Sequence, residues 1–291
     1  MRKATLIFGL FIGLTSLLSC SNSAEKTENK RLQIVCTTGM IADVIQHFLP
    51  ADVDVVALMG PGVDPHLYKP GFKDLTLVEN ADIIIYNGLH LEGKMSAIFG
   101  GIKAPKKVYS VEQFQEENDW IKLQENPVVY DPHIWFNPSK FIEALDEMAK
   151  DIIKSNPGLV YPKEKVAVYL SRFETLKETW LKTVQNIPDN QRVLVTAHDA
   201  FSYFGKYFGI EVNALQGINT TAEFGMRDVK QLAQFIISKN VPTIFMESSI
   251  SPRSIEAVQR EVENQGQKLN LGATLYSDAM GPVGSGAENY L

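Results

Sequence analysis

Apolar residues follow two patterns along this chain. Short continuous runs alternate with longer stretches in which apolar positions recur every three or four residues. The runs predict buried strands, and the stretches predict amphipathic helices. Because the two kinds of element alternate, the pattern indicates an α/β architecture. The predicted strands cover residues 33–37, 53–58, 82–86, 107–111, 192–196, 243–247 and 268–276.

Helices of ordinary length are predicted from this periodicity and from residues that favour helix ends. One covers residues 41–48, where apolar side chains share a face. Ser139 is expected to cap another, which ends at Pro157. A third begins at the Ser251-Pro252 pair, because proline is favoured in the first turn of a helix.

Residues 161–187 carry a much longer helical pattern, with one apolar face and many charged residues elsewhere. At 1.5 Å per residue, such a helix spans roughly 35–40 Å, about the width of a domain. We interpret it as a linking helix between an N-terminal α/β lobe (31–160) and a C-terminal α/β lobe (188–291). A long surface helix on a single domain is the alternative, and both arrangements allow a crevice between the two halves.

The N-terminus has the composition of a secretion signal, with a short basic segment followed by an apolar run. The run is too short to cross a membrane, so residues 1–19 are predicted to be a signal peptide. Cys20 resembles the cysteine of a bacterial lipobox, which implies cleavage before Cys20 and lipid on its sulfur. An ordinary signal peptide with an incidental cysteine is the alternative. Residues 20–30 are polar and are expected to form a tether.

Composition excludes several classes of partner and site. The net charge is −6 and the chain has no basic block, which argues against nucleic acid as a partner. After Cys20 the only thiol is Cys36, so neither an intrachain disulfide nor a cysteine-rich zinc site is possible in the mature chain. Cys36 follows apolar residues of a predicted strand and is expected in the core.

The most informative motif is the tripeptide Asp-Pro-His, which occurs at 64–66 and again at 131–133 although the chain has only five histidines. Proline restricts the backbone on both sides, so His66 and His133 are expected on stiff, non-helical segments. Imidazole is the commonest side-chain metal ligand. Two imidazoles held in this way predict half of a four-coordinate metal site.

The second half of the chain offers further ligands where predicted strands end. His198 follows one strand and precedes a predicted helix, whose N-terminus should keep the imidazole neutral. Asp278 ends another strand. Glu247 ends a third, and we expect it to support a ligand rather than to bind metal itself. Of the other histidines, His47 is expected to be solvated, and His90 could line the same cleft but has no evident partner.

Taken jointly, these motifs resemble those of the cluster A-I metal-binding lipoproteins of ABC transporters, and TroA-type proteins in particular. The resemblance extends from about Leu32 to the last residue, and it implies two α/β lobes joined by a long helix with one metal ion between them. It implies His66 and His133 as ligands from the first lobe, and His198 and Asp278 from the second. The matching segments are 61–68, 131–135, 196–204, 215–217, 245–249 and 275–280.

Two features depart from the family pattern. Family members usually continue past the Ser-Asp-Ala-Met segment with a further helix, so the final helix is expected to be missing from a chain that ends at Leu291. Zinc-specialised relatives often carry a histidine-rich loop between the first two ligands. The corresponding stretch near 112–124 is acidic and has no histidine, so zinc scavenging by such a loop is not supported.

Three imidazoles and one carboxylate favour Zn²⁺ as the bound ion. Mn²⁺ or Fe²⁺ is the second choice, because ligand type selects weakly among these metals. Family members devoted to manganese commonly have glutamate in place of the third histidine, so His198 favours zinc. Five-coordinate manganese remains feasible if Asp278 binds through both oxygens.

The function expected from these observations is transport rather than chemistry. A monomeric, lipid-anchored protein in the periplasm or at the cell surface would capture a divalent cation and deliver it to the permease and ATPase subunits of an ABC transporter. One rival is a metallohydrolase that uses Glu247 as general base, which requires an open coordination position. Another is an adhesin with a permanently bound structural metal.

Overall fold

The structure is a computed structural model that describes residues 31–123 and 126–291. The predicted signal peptide (1–19), the predicted tether (20–30) and Cys20, the predicted site of lipidation, lie outside the described residues. No helix in the described part of the chain is both long enough and apolar enough to cross a membrane.

The first lobe is built on a parallel sheet with the strand order β2-β1-β3-β4. Successive side chains of β1 enter different cores, because Ile34 and Cys36 belong to one apolar cluster while Val35 belongs to another. Both faces of the sheet are therefore buried, which explains the continuous apolar runs. The strands are β1 (Leu32–Cys36), β2 (Val53–Ala57), β3 (Ile83–Tyr86) and β4 (Lys107–Ser110), all close to their predicted positions.

Helices cover this sheet, and an antiparallel hairpin leads into the second Asp-Pro-His segment. The helices are α1 (Gly39–Phe48), α2 (Phe72–Asn80), α3 (Met95–Gly100) and α4 (Pro138–Ser155). The hairpin consists of β5 (Lys122–Leu123) and β6 (Asn126–Tyr130). The periodicity predicted α1 and α4, whereas α2, α3 and the hairpin were not predicted.

The predicted cap of α4 is wrong. Pro138 takes the first helical position, where its missing N–H is not needed, so the cap lies one residue earlier. The Asn137 side chain accepts the Lys140 N–H at 3.5 Å. The Ser139 hydroxyl instead makes a 2.9 Å hydrogen bond with the Tyr207 hydroxyl of the second lobe.

The second lobe repeats the strand order of the first. Strands β7 (Val193–His198) and β8 (Glu211–Gln216) form one parallel pair. Strands β9 (Thr243–Ile244) and β10 (Asn270–Leu271) form another. The Phe245 N–H donates to the Val195 carbonyl at 3.0 Å and joins the pairs in the order β8-β7-β9-β10.

The predicted strands 243–247 and 268–276 are only partly correct. In the structure each of these segments forms a strand of only two residues. A single β-bridge between Glu247 and Leu275 follows the two short strands. Gly272 directly follows β10, and an added Cβ atom at this position would lie 2.4 Å from the Phe245 ring. The helices of this lobe are α6 (Ser202–Phe208), α7 (Met226–Lys239) and α8 (Arg253–Asn264).

The long helix α5 covers Lys163–Gln185, within the predicted 161–187. Its 23 residues span about 35 Å at 1.5 Å per residue. The buried side chains Val166, Tyr169 and Phe173 pack into the core of the first lobe. Beyond its end, the Arg192 guanidinium donates to the carbonyl of Val184 at 3.1 Å and leads the chain into β7.

Candidate metal centre

The two Asp-Pro-His segments fold in the same way. In each, the aspartate Oδ1 accepts the backbone N–H of the histidine two residues later, at 2.8 Å for Asp64 and His66 and at 2.9 Å for Asp131 and His133. The short aspartate side chain favours this local hydrogen bond, and the intervening proline restricts the backbone. The repeated sequence thus gives a repeated, stiff platform for an imidazole.

The structure brings the four predicted ligands together. One potential ligand atom from each of His66, His133, His198 and Asp278 lies within 4.8 Å of all the others. The Nε2 atoms of His66 and His133 are 3.3 Å apart. The Asp278 carboxylate approaches the Nε2 atom of His133 at 3.4 Å and that of His198 at 3.2 Å. Such a set of three imidazole nitrogens and one carboxylate fits a four-coordinate transition metal.

The two second-lobe residues reach this cluster from the ends of the second sheet. His198 is the last residue of β7, and Asp278 comes three residues after the Glu247–Leu275 bridge. His133 and His198 are fully buried, and Asp278 is 2% exposed. His66 is the most accessible of the four at 8% exposed.

Carboxylates orient two of the rings from behind. The Asp131 Oδ1 lies 2.7 Å from the Nδ1 atom of His133, and the Glu247 Oε2 lies 2.6 Å from the Nδ1 atom of His198. A carboxylate on Nδ1 holds the proton there and leaves Nε2 free for a metal. The Glu247 Oε1 also accepts the N–H groups of Ala197 at 2.7 Å and His198 at 2.9 Å. Glu247 therefore lies behind His198 and is not one of the four converging residues.

These carboxylates change the protonation of the rings. Burial disfavours the charged form of His133, but Asp131 and Asp278 outweigh it and raise the pKa of His133 to about 9. Burial opposes the charge on His198 too, and Asp278 and Glu247 raise its pKa to about 11. The expectation that a helix N-terminus keeps His198 neutral is wrong, because these two carboxylates dominate.

The pKa values of the other two residues of the cluster, His66 and Asp278, are lowered. Burial, together with the neighbouring His133, lowers the pKa of His66 to about 3. Burial opposes ionisation of Asp278, but the His198 and His133 rings outweigh it and hold the pKa of this carboxyl below its usual range. Protons on His133 and His198 therefore offset part of the charge of the three neighbouring carboxylates, Asp131, Asp278 and Glu247, in the metal-free protein. A divalent cation carries the same charge as those two protons.

Comparison with known proteins places this arrangement in a family. Residues 34–291 match the family model described as "Zinc-uptake complex component A periplasmic". The chain belongs to this zinc-uptake family. The predicted resemblance to TroA-type metal-binding lipoproteins is confirmed.

Known metal-binding proteins match the chain over nearly its whole length. The manganese-binding lipoprotein MntA of Bacillus subtilis is 38% identical over 100% of this chain and 95% of its own. The zinc-binding protein TroA of Treponema pallidum is 36% identical over 98% of this chain and 92% of its own. The TroA crystal structure superposes with a TM-score of 0.84, covering 89% of this chain and 94% of TroA. The predicted fold class, two α/β lobes joined by a long helix, is confirmed.

Several residues that support the cluster were not predicted. A supporting role for Asp131 could have been predicted from the sequence, because its spacing from His133 repeats that of Asp64 from His66. Tyr203 carried no such signal. Its hydroxyl donates to the Asp131 carbonyl at 2.9 Å and accepts the Ile121 N–H at 3.0 Å, across 72 and 82 residues of sequence.

A fully buried carboxylate, Glu92, also holds the second Asp-Pro-His segment from behind. It accepts the Thr37 hydroxyl at 2.8 Å and the Asn87 N–H at 2.6 Å. The Asn87 amide in turn donates to the Pro132 carbonyl at 2.8 Å. Burial raises the pKa of Glu92 to about 7. The network fixes the backbone beside His133 without contacting its ring.

The remaining histidines lie apart from the cluster. His47 is half-buried rather than solvated, because its ring packs 4.7 Å from that of Tyr169 and its Nδ1 contacts the Asp43 carbonyl at 2.7 Å. His90 is exposed and has a left-handed backbone with φ of 64°. It is not one of the four converging residues.

Proposed function

We propose that this protein is an extracytoplasmic solute-binding lipoprotein that captures one divalent transition-metal cation and delivers it to the permease and ATPase of an ABC transporter. The observation that carries the proposal is the convergence of His66, His133, His198 and Asp278 within 4.8 Å. Two of these ligands come from each lobe. A cation held between the lobes would be released when they separate.

Zinc is the cation that this donor set favours. Three imidazole nitrogens and one carboxylate match the softness and the tetrahedral geometry that Zn²⁺ prefers, whereas Mn²⁺ prefers more oxygen ligands. The Asp278 carboxylate faces both His133 and His198, so it could supply one oxygen or two. Manganese or iron is the alternative cargo, and the relatives MntA and TroA are named for manganese and zinc respectively.

The geometry favours a binding protein over the metallohydrolase alternative. Four protein ligands leave no open position on a tetrahedral zinc, and a catalytic zinc needs one. Glu247 is the only candidate general base from the sequence. Both of its oxygens are engaged, one by the backbone N–H groups of Ala197 and His198 and the other beside the His198 ring. This carboxylate has no free oxygen for a substrate.

A metal-competition titration on chelator-stripped protein, read by elemental analysis, tests the proposal. We expect one reversibly bound zinc per chain, with manganese bound more weakly. His198→Ala should weaken binding sharply and leave the fold intact. His90→Ala is the matched control, because His90 is exposed and outside the cluster.

Three outcomes would overturn the proposal. Unchanged zinc stoichiometry and affinity in His198→Ala would reject the site. Metal that leaves only when the protein unfolds would identify a structural ion, as the adhesin alternative requires. Zinc-dependent hydrolysis that is lost in Glu247→Gln would identify an enzyme.

A further inference from the structure

Hydrogen bonds between the lobes are distributed unequally around the two Asp-Pro-His segments. At the second segment, the Tyr203 hydroxyl donates to the Asp131 carbonyl at 2.9 Å. Two residues after His133, the Trp135 indole N–H donates to the Ser277 carbonyl at 2.9 Å. The second lobe therefore forms hydrogen bonds with this part of the first lobe through α6 and through the residue next to Asp278.

The first segment has a much weaker connection. The Thr220 hydroxyl, in the loop between β8 and α7, donates to the Asp64 Oδ2 at 2.7 Å. Within residues 31–123 and 126–291, this is the one hydrogen bond that joins the second lobe to the loop of residues 60–70. Detaching the loop from the second lobe includes the loss of this hydrogen bond.

Thr220 is connected to His66 through the side chain of Asp64. The Asp64 Oδ2 accepts from Thr220, while the Oδ1 atom of the same carboxylate accepts the His66 N–H at 2.8 Å. From the first lobe, the His66 carbonyl lies against Gly93, where an added Cβ would be 3.3 Å away. Gly93 of the first lobe therefore packs beside His66, and Thr220 of the second lobe binds the carboxylate that accepts the His66 N–H.

We propose that Thr220 is a positioning residue for metal binding. Its hydrogen bond to Asp64 holds His66 against the other three ligands, and His66 is the first ligand to leave when the metal is released. The inference rests on the proposed transport function. Exposure supports the order of release, because His66 is 8% exposed and the adjoining Leu67 is 53% exposed, whereas His133 and His198 are fully buried.

The test is the rate of zinc dissociation into excess chelator, measured by stopped flow. Thr220→Val removes the hydroxyl and keeps the shape. Dissociation should accelerate about tenfold, the change expected for one lost hydrogen bond to a charged acceptor. Thr220→Ser should restore the wild-type rate. Thr221→Val is the matched control, since Thr221 is exposed and no described residue bonds its hydroxyl.

Two further readouts separate positioning from general destabilisation. The melting temperature of metal-free Thr220→Val should equal that of the wild type. Amide hydrogen exchange in the zinc-loaded variant should accelerate at residues 60–70 and stay unchanged at 131–136.

Wild-type dissociation and exchange in Thr220→Val would overturn the inference and leave the transport function standing. An equal acceleration in Thr221→Val or Thr220→Ser would also overturn it. If the wild-type protein itself bound no zinc reversibly, the proposed function would fail and this inference with it.

Discussion

The two Asp-Pro-His segments share a sequence and the hydrogen bond from the histidine N–H to the aspartate, but the two aspartates have different roles. Asp131 is fully buried, and its Oδ1 contacts both the N–H and the ring Nδ1 of His133. Asp64 is half-buried and gives its second oxygen to Thr220 of the other lobe. The motif sets the local backbone, and the surroundings decide whether the carboxylate orients a ring or joins two lobes.

This difference has an electrostatic consequence. Nearby carboxylates, Asp131 among them, raise the pKa of His133 to about 9 despite complete burial. The His66 ring makes no hydrogen bond to a carboxylate in the described part of the chain, and burial lowers the pKa of His66 to about 3. Two identical motifs thus present one ring that holds a proton at neutral pH and one that does not.

The largest expected effect is the dependence of zinc affinity on pH. At pH 7.5 the metal-free protein holds protons on His133 and His198, whose pKa values are about 9 and about 11, and none on His66. Zinc must displace both protons, so acid favours the metal-free form. Affinity should fall about 100-fold per pH unit between pH 7.5 and 5.5, and should keep rising as the pH passes 9.

Calorimetry in buffers of different ionisation enthalpy should count about two protons released per zinc at pH 7.5. A flat affinity profile would count against a histidine site. Release of a single proton would show that only one of the two buried rings is charged.

Removing each ring should separate binding from stability. His133→Ala and His66→Ala should each weaken zinc binding by about 100- to 1,000-fold, the share of one ligand among four. Only His133→Ala also leaves a buried carboxylate, Asp131, without its ring partner, and that should destabilise the metal-free protein by about 1–3 kcal/mol. Titration calorimetry and thermal unfolding measure the two effects. Equal melting temperatures for the two variants would remove the distinction between the segments.

The smallest expected effect on zinc affinity comes from replacing each of the two aspartates by asparagine. Asp131→Asn keeps an oxygen for the backbone hydrogen bond but removes the charge beside His133, and should weaken zinc binding about 10- to 100-fold. Asp64→Asn should cost less, because His66 has no ring contact with Asp64 to lose. The pKa of His133, followed by NMR, should fall in Asp131→Asn and stay the same in Asp64→Asn. Matching losses of affinity in both variants would contradict this assignment of roles.

Much of the fold could be predicted because the buried parallel strands are continuously apolar. Strand β8 escaped prediction because Glu211, Asn213 and Gln216 interrupt its apolar pattern. Helix α7 was not predicted either, although Val229, Leu232 and Ile236 recur with the spacing of a helix and form its buried face.

At the site, the sequence indicated which residues are available but not what holds them. Strand ends and the repeated tripeptide pointed to His66, His133, His198 and Asp278, whose role as ligands stays a prediction. The Tyr203–Asp131 and Thr220–Asp64 hydrogen bonds join positions 72 and 156 residues apart. No local pattern encodes such pairs, because they form only when the two lobes are packed together.

Trp135 gives the protein a built-in optical probe of its cargo. The indole lies 5.2 Å from the His133 ring and bonds the carbonyl next to Asp278, so it senses both lobes at the point where the cation would bind. Trp180, in contrast, is 43% exposed on the long helix. Loading and unloading should therefore be visible in the native fluorescence of the unlabelled chain.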